Sequence, residues 1–499
     1  MVDNMTIMDT QLEEVSSVAQ LYDGRSVFIT GASGFIGRVL LEKLLRCYTG
    51  IRRIYILLRT KKGESPHERL HKRVLNVPLF DSIRAIEARD NIGLLNKIVV
   101  VPGDIGEPNL GISDDDMRTM LDDETLSIVF HSAATVRFDE PLKVSVNLNL
   151  VATKTVIEFS RKLKNLISLC HVSTAYANSH LPEEECIEEK IYPINKTPAQ
   201  IINLAQNLDD ASLEELKTKL VDGRPNTYTY TKALAEHLVA TEASDLPVAI
   251  VRPSIVVGAW KDPLPGWIDN INGPTGLLLA VSKGLLRTMH VVHSCKAELI
   301  PVDAVVNTMI ASTYYSAERN RLASKNSKPH QLQQSKESKN ADNFIMTDEG
   351  YLPERQPPIF HINSGNLNPI KWVQFESSVM SFIRDFPSLE TYRYPFGTFK
   401  NNYYYDLILR VFVHFLPALI IDGICLVLGK KRRMIWIYAK LHAAISALSH
   451  FTTHDYKFET RNIRLLKDSL NESDRKQLFM DIENLNWTSF WKDFVLGSR

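Results

Sequence analysis

The sequence is sparing with cysteine, carries no excess of charge of either sign, and has no apolar stretch near its N-terminus. Five cysteines occur in 499 residues (Cys47, Cys170, Cys186, Cys295 and Cys425), and their wide and odd-numbered scatter fits neither a disulfide framework nor a zinc site. They read as reduced thiols of a protein facing the cytosol. Lys and Arg number 58, as do Asp and Glu, so no overall field exists to gather nucleic acid or a strongly acidic partner. The first twenty residues are polar and acidic, without the apolar run behind basic residues that a secretory signal needs. They read as a loose tail over 1–20, and entry into the secretory lumen by this end is not expected.

Hydrophobic residues make up 44% of the chain, which leaves room for a large buried core in two to three domains. Ser26 to Thr30 is a short apolar run ending in a Gly-rich turn, and Arg38 to Leu45 has helical apolar spacing, so the opening reads strand, turn, helix. Buried-strand candidates follow at Ile54 to Leu58, Lys97 to Val101, Leu126 to Phe130, Ile167 to Val172 and Pro247 to Val251. Their alternation with helix-length stretches predicts an α/β fold with a doubly wound parallel sheet. From Ser316 to about Gln356 the composition turns to Ser, Lys, Gln, Asn and Pro without periodicity, which predicts a disordered insertion over 316–356 within a first domain of residues 21–370. Apolar order resumes at Ile359 to Ile362, and a second domain over 371–499 is expected.

The turn after the first strand reads TGASGFIG, with Gly31, Gly34 and Gly37 at spacing three and Ser33, Phe35 and Ile36 between them. Glycines there allow a tight turn, close approach of backbone N–H groups to a pyrophosphate, and close packing of the next helix. The second strand ends in LLRTKKG and lacks the acidic residue that pairs with the ribose hydroxyls in NAD enzymes. Arg59, followed by Lys61 and Lys62, suits a 2′-phosphate and predicts NADPH; a solvated basic loop is the plainer alternative. Asp104 in PGDIGEPNLG lies where a short carboxylate could meet the adenine amino group, although a turn Asp reads equally well.

In NTYTYTKALAEHL, Tyr228 and Lys232 lie four apart at the start of an expected helix, a spacing that puts them on one face. A nearby ammonium would lower the phenol pKa and make Tyr228 a usable proton donor near neutrality. HVSTAY places Ser173 and Thr174 at the end of a strand, where either could offer a hydroxyl to a substrate carbonyl.

TGASGFIG, HSAATVRF, HVSTAY and YTYTK together resemble an extended short-chain dehydrogenase/reductase. RPSIVVGAWKDPLPGWIDNINGPTG and PNTYTYTKALAE narrow the resemblance to the alcohol-forming fatty acyl-CoA reductases, over roughly Gly24 to Ser316 and more loosely beyond Lys371. The resemblance implies Thr174, Tyr228 and Lys232 as the catalytic set, with Ser173 as the alternative hydroxyl. It also implies a cofactor site of Gly31, Ser33, Gly34, Phe35, Ile36, Gly37, Arg59, Asp104, Ile105, Ala133, Tyr228 and Lys232. The implied reaction takes a long-chain fatty acyl-CoA with NADPH to an aldehyde and then a primary alcohol, releasing CoA. Membrane lipid and a second copy of the chain are the implied partners, on an endoplasmic reticulum or peroxisomal membrane. The chain departs from the family's pattern in the long insertion and at Ala152, which stands at a usual glycine. Rival readings are another extended reductase, such as a hydroxysteroid dehydrogenase or nucleotide-sugar epimerase, and an inactive NADP-binding scaffold.

Val411 to Leu428 is an apolar stretch of eighteen residues followed by Gly429 and the cluster Lys430 to Arg433. It barely reaches across a bilayer core of roughly 30 Å. His414, Pro417 and Asp422 interrupt it, and a central Asp costs about 2.5 to 3.5 kcal/mol on an insertion scale. A re-entrant or interfacial element, anchored by Trp436 and Tyr438, fits better than a simple span; a buried helix of the second domain is the alternative.

Overall fold

A computed structural model describes residues 16–270, 273–326, 344–347, 350–353, 356–388 and 390–498. Seven parallel strands form its central sheet: β1 (Ser26–Thr30), β2 (Arg53–Leu58), β3 (Ile98–Pro102), β4 (Leu126–His131), β5 (Ser168–Val172), β6 (Val248–Pro253) and β7 (Ile359–Ile362). Their spatial order is β7-β6-β5-β4-β1-β2-β3. β1 pairs with β2 on one side and with β4 on the other, so the chain order reverses at β1 and opens a crevice beyond the strand ends. Each expected strand is present within a residue or two of its expected bounds.

The strands form where apolar runs are short, continuous and β-branched, because helices cover both faces of the sheet. Alternate residues of β1 divide between two cores. Val27 and Ile29 join one core, with Leu40 and Leu44 of α2 (Phe35–Cys47). Phe28 joins the other, with Val156 of α3 (Ala152–Lys162) and Leu234 and Leu238 of α4 (Thr227–Glu242).

Three expectations need correction. The tail read over 1–20 ends early: Ser17–Tyr22 is a helix, α1, whose Val18 and Tyr22 are fully buried. Its first amides, those of Ser17 and Val18, donate to Asp474 at 3.0 and 3.2 Å, so a partner more than 450 residues away orders a segment with little signal of its own. Residues 1–15 lie outside the described residues.

The insertion read over 316–356 is also shorter. The helix α5 (Val302–Asn326) carries its backbone bonding ten residues past Ser316, and Phe344–Thr347 pairs with Gly350–Pro353 as a short antiparallel hairpin. Residues 327–343 lie outside the described residues.

The segment after Lys371 is mostly helical but builds no separate core. Trp372, Phe375, Ile463, Phe490 and Trp491 belong to the same cluster as Val27 and Leu40.

The apolar segment 411–428 lies in a helix, α6 (Tyr403–Val427), and only 17% of its most apolar window is buried. That excludes the buried-helix reading. Phe412, Leu419, Ile424 and Val427 point outward. Asp422, which would be costly in a bare span, accepts the first backbone amides of the next helix, Met434–Thr453, from Arg433, Met434 and Ile435 at 3.0 Å each. The two helices form a hairpin closed at its basic turn by a carboxylate cap.

Candidate active site

The crevice beyond β1 is lined by the glycine turn. Gly31 holds φ +83°, and a Cβ there would lie 2.7 Å from the Ala133 amide nitrogen. A Cβ at Gly37 would collide with the Gly31 carbonyl, so the third glycine is what lets α2 sit against the turn. Gly34 donates to Gly31 O at 2.8 Å, and α2 then starts at Phe35 with no side-chain cap. The first-turn amides of a thirteen-residue helix thus open into the crevice beside Ser33, Phe35 and Ile36, the arrangement that accommodates a pyrophosphate. The Phe35 ring stacks on Trp267 at 5.5 Å, which brings the distant PLPGWID segment onto the turn. Ala133 follows β4, with its amide 3.4 Å from Thr30 Oγ1.

At the end of β2, Arg59 Nη1 lies 3.0 Å from Asp104 Oδ2, and Asp104 Oδ1 accepts from the Gly106 amide at 3.0 Å. Asp104 therefore tethers Arg59 and shapes its own turn, with the half-buried Ile105 beside it. Both charged side chains are substantially exposed, so the pair contributes at most about 1 kcal/mol and Arg59 is free to turn to a stronger anion. Sequence reasoning missed Arg69, whose guanidinium donates to the Arg59 carbonyl. Burial, and then the Arg59 charge, hold both Arg69 and Lys61 below their usual pKa values. The cluster Arg59, Lys61 and Arg69 keeps an excess of positive charge over the nearby Glu64 and Asp104 carboxylates, which favours an anion. Arg69 lies ten residues after Arg59 in an unremarkable PHER turn, and only the fold folds it back.

α4 carries the second half of the site. Asn226 caps it by accepting from the Thr229 amide at 2.9 Å, which sets Tyr228 in the first turn and Lys232 one turn later. The Thr174 hydroxyl is near enough to Tyr228 to act on its phenol, while Thr174 Oγ1 accepts from the Tyr176 amide at 3.3 Å. Ser173 is buried, and its hydroxyl has no partner among the described residues. Of the two hydroxyls, that of Thr174 is the one that acts on the Tyr228 phenol.

Lys232 is almost fully buried and donates to the Val172 carbonyl at 2.7 Å. Burial pushes it down to about 8, partly offset by Glu236 one turn further on. The expected lowering of the Tyr228 pKa is not found: burial pushes the phenol up to about 12, with the Thr174 hydroxyl acting the other way. The reason is geometric, because the ammonium is directed at Val172 and not at the phenol.

Beneath the pair, His131 and His171 face each other at 5.4 Å, and burial drives both well below their usual pKa. They stay neutral, so they set no like charge against Lys232. Glu236 is held by a bidentate pair with Arg252 at 2.7 Å, fully buried. Over the open side, the Phe138 ring lies 5.8 Å from Tyr228 and 5.4 Å from Phe451. Neither phenylalanine carries a motif in the sequence.

A family model described as male sterility protein, NAD-binding, matches residues 29–309, and a second model of the same description matches 413–499. The chain is 35% identical to rat fatty acyl-CoA reductase 1 over 486 residues, covering 97% of this chain and 85% of that one. Mouse fatty acyl-CoA reductase 2 is 36% identical over 485 residues, covering 97% and 86%. The chain belongs to the fatty acyl-CoA reductase family. It is an NAD(P)-dependent oxidoreductase of that family, and its activity is fatty acyl reduction. The fold is also that of the reductase domain of a Mycobacterium tuberculosis nonribosomal peptide synthetase, with a TM-score of 0.55 at 17% identity, covering 95% of this chain and 91% of that one. The terminal R domain of the myxalamid pathway gives a TM-score of 0.53 at 19% identity, covering 95% and 90%.

Within this reductase the departure at Ala152 is benign. Ala152 is fully buried where α3 begins, and its methyl group fills space in the helix packing. The second family match begins at residue 413, inside α6, so the outward apolar helix and its hairpin partner belong to the family's C-terminal part.

Proposed function

We propose that this reductase uses NADPH to convert a long-chain fatty acyl-CoA to a primary alcohol through an aldehyde, releasing CoA, at a membrane surface with its catalytic face in the cytosol. The observation that carries the reading is the grouping of Thr174 and Tyr228 with the buried Lys232 bonded to the Val172 carbonyl, at the strand ends next to the uncapped turn of α2. The turn from Gly31 to Gly37 would hold the pyrophosphate, Arg59 and Arg69 the 2′-phosphate, and Lys232 the ribose. When bound, NADPH supplies the hydride.

The chain's own contribution is polar. The hydroxyls of Thr174 and Tyr228 converge where a thioester carbonyl oxygen would develop charge, and donors fixed in advance at such a point usually give the largest electrostatic share of catalysis. With its pKa near 12, Tyr228 holds its proton at neutral pH and can give it to that oxygen. The same two hydroxyls serve the aldehyde in the second reduction. The outward face of α6, with Trp436 and the basic residues 430–433 beside it, suits an interfacial anchor. A long acyl chain is most concentrated at such a surface.

Membranes bearing the protein, given NADPH and acyl-CoAs of several chain lengths, should yield primary alcohol and free CoA. Product analysis that finds neither alcohol nor aldehyde for any chain length would refute the reading.

A further inference from the structure

We propose that Phe451 is a positioning residue of this active site: from the helix that pairs with the outward apolar helix α6, its ring fixes Tyr176 and Phe138 and, through them, the hydroxyls of Thr174 and Tyr228. The inference rests on the roles given to those two hydroxyls above.

The local structure around Thr174 shows why its hydroxyl needs a support. Thr174 caps the short turn Ala175–Asn178, and its Oγ1 accepts from the Tyr176 amide at 3.3 Å. A turn of that length has few bonds of its own, so the direction of the Thr174 side chain depends on what holds Tyr176. Three rings do so, each edge-on: Phe451 at 4.8 Å, Tyr456 at 5.2 Å and Phe458 at 5.6 Å, within the range that aromatic pairs favour. Together with Ala175 and Ile187, these four aromatic side chains form a small buried cluster of their own, apart from the cores on the two faces of the sheet.

Phe451 is the ring of the three that reaches both halves of the site. It also lies 5.4 Å from Phe138, which lies 5.8 Å from Tyr228. The contacts therefore run from Tyr228 through Phe138, Phe451 and Tyr176 back to Thr174, whose hydroxyl acts on the Tyr228 phenol. Buried side chains are close-packed, so a change of shape at one member of such a circuit is felt by the others.

Phe451 is itself held by a helix fixed at both ends, α7 (Met434–Thr453). At its start the first amides donate to Asp422 of α6, and further along His442 Nε2 lies 3.1 Å from His414 Nδ1 of α6. In its last turn the Thr452 carbonyl accepts from the Val292 amide at 3.1 Å, and His450 Nε2 lies 3.4 Å from the carbonyl of Ser179, the residue that ends the turn Thr174 begins. The end of α7 thus touches that turn twice, at Tyr176 through Phe451 and at Ser179 through His450. Over its twenty residues α7 runs about 30 Å at about 1.5 Å per residue, and so ties the outward apolar helix to the cap formed by a reacting hydroxyl.

The test uses the full-length protein in membranes, with the long-chain acyl-CoA that the parent reduces fastest and NADPH binding as a separate measure of folding. Phe451→Leu keeps the space apolar but removes the ring. It should lower kcat by about tenfold or more, since a misplacement of about 1 Å near reacting groups can cost about a hundredfold, while KM and the Kd for NADPH stay within about twofold. Phe451→Tyr keeps the ring and should recover most of the parent kcat. A kcat close to the parent's in Phe451→Leu, or one equally low in both variants, would overturn the inference. If Phe451→Leu fails to bind NADPH, Phe138→Leu, at the half-buried end of the circuit, decides alone, and an unchanged kcat there would overturn it. Failure of the underlying reading would look different: Tyr228→Phe would then keep near-normal activity.

Discussion

Replacing Lys232 by Met separates the chemical role of this residue from its effect on stability. The ammonium is 3% exposed and its pKa is lowered from 10.5 to about 8, which corresponds to a penalty of about 3 kcal/mol on its charged form. Between those two pH values the unfolded chain holds a proton that the folded one has released. Stability of the parent protein therefore rises with pH across that window, and the penalty is fully present below pH 8. Methionine has a similar length and no charge, so the variant lacks this dependence. Against its gain stands the lost bond to the Val172 carbonyl at 2.7 Å, where a charged donor contributes about 1.5–3 kcal/mol.

At neutral pH the two effects nearly cancel, and Lys232→Met should unfold within a few degrees of the parent. The difference between the two proteins should then move by up to about 3 kcal/mol in favour of the parent as pH rises from 7 toward 10. Thermal unfolding in detergent at several pH values measures this directly. Activity should fall by about a hundredfold or more in the same variant, and parent activity should decline as pH rises through about 8. A stability difference independent of pH would show that Lys232 is not a buried ammonium with a lowered pKa, and the account of the site would fail with it.

Tyr228→Phe keeps the ring contact with Phe138 and loses the proton donor, so both reductions should drop by about a hundredfold or more while NADPH binding, followed by fluorescence, stays close to normal. Arg59→Asp places a carboxylate beside Asp104 and should narrow or reverse a preference for NADPH over NADH; equal kcat/KM with both cofactors in the unmodified protein would remove the basis for it. Glu236→Gln leaves the buried Arg252 guanidinium without its carboxylate and should destabilise the protein by about 3–5 kcal/mol, which calorimetry or denaturant titration would detect.

The sequence determined the sheet and its cofactor turn, because both rest on local chemistry. A buried parallel strand must be a short apolar run, and a turn holding φ +83° at Gly31 and close helix contact at Gly37 must be glycine. The spacing of Tyr228 and Lys232 was likewise legible, since four residues make one helical turn. Tertiary structure decided what depends on partners far along the chain. Asp474 orders the helix at Ser17, and Asp422 caps a helix eleven residues away where composition read it as an interruption. That the Thr174 hydroxyl, and not that of Ser173, acts on the Tyr228 phenol is likewise tertiary, because neighbouring hydroxyls in a sequence do not reveal which way each one faces. The ammonium of Lys232 turns to the Val172 carbonyl and leaves the phenol high, because side-chain direction in a buried site is set by the nearest acceptor, and only the folded chain brings that acceptor within reach.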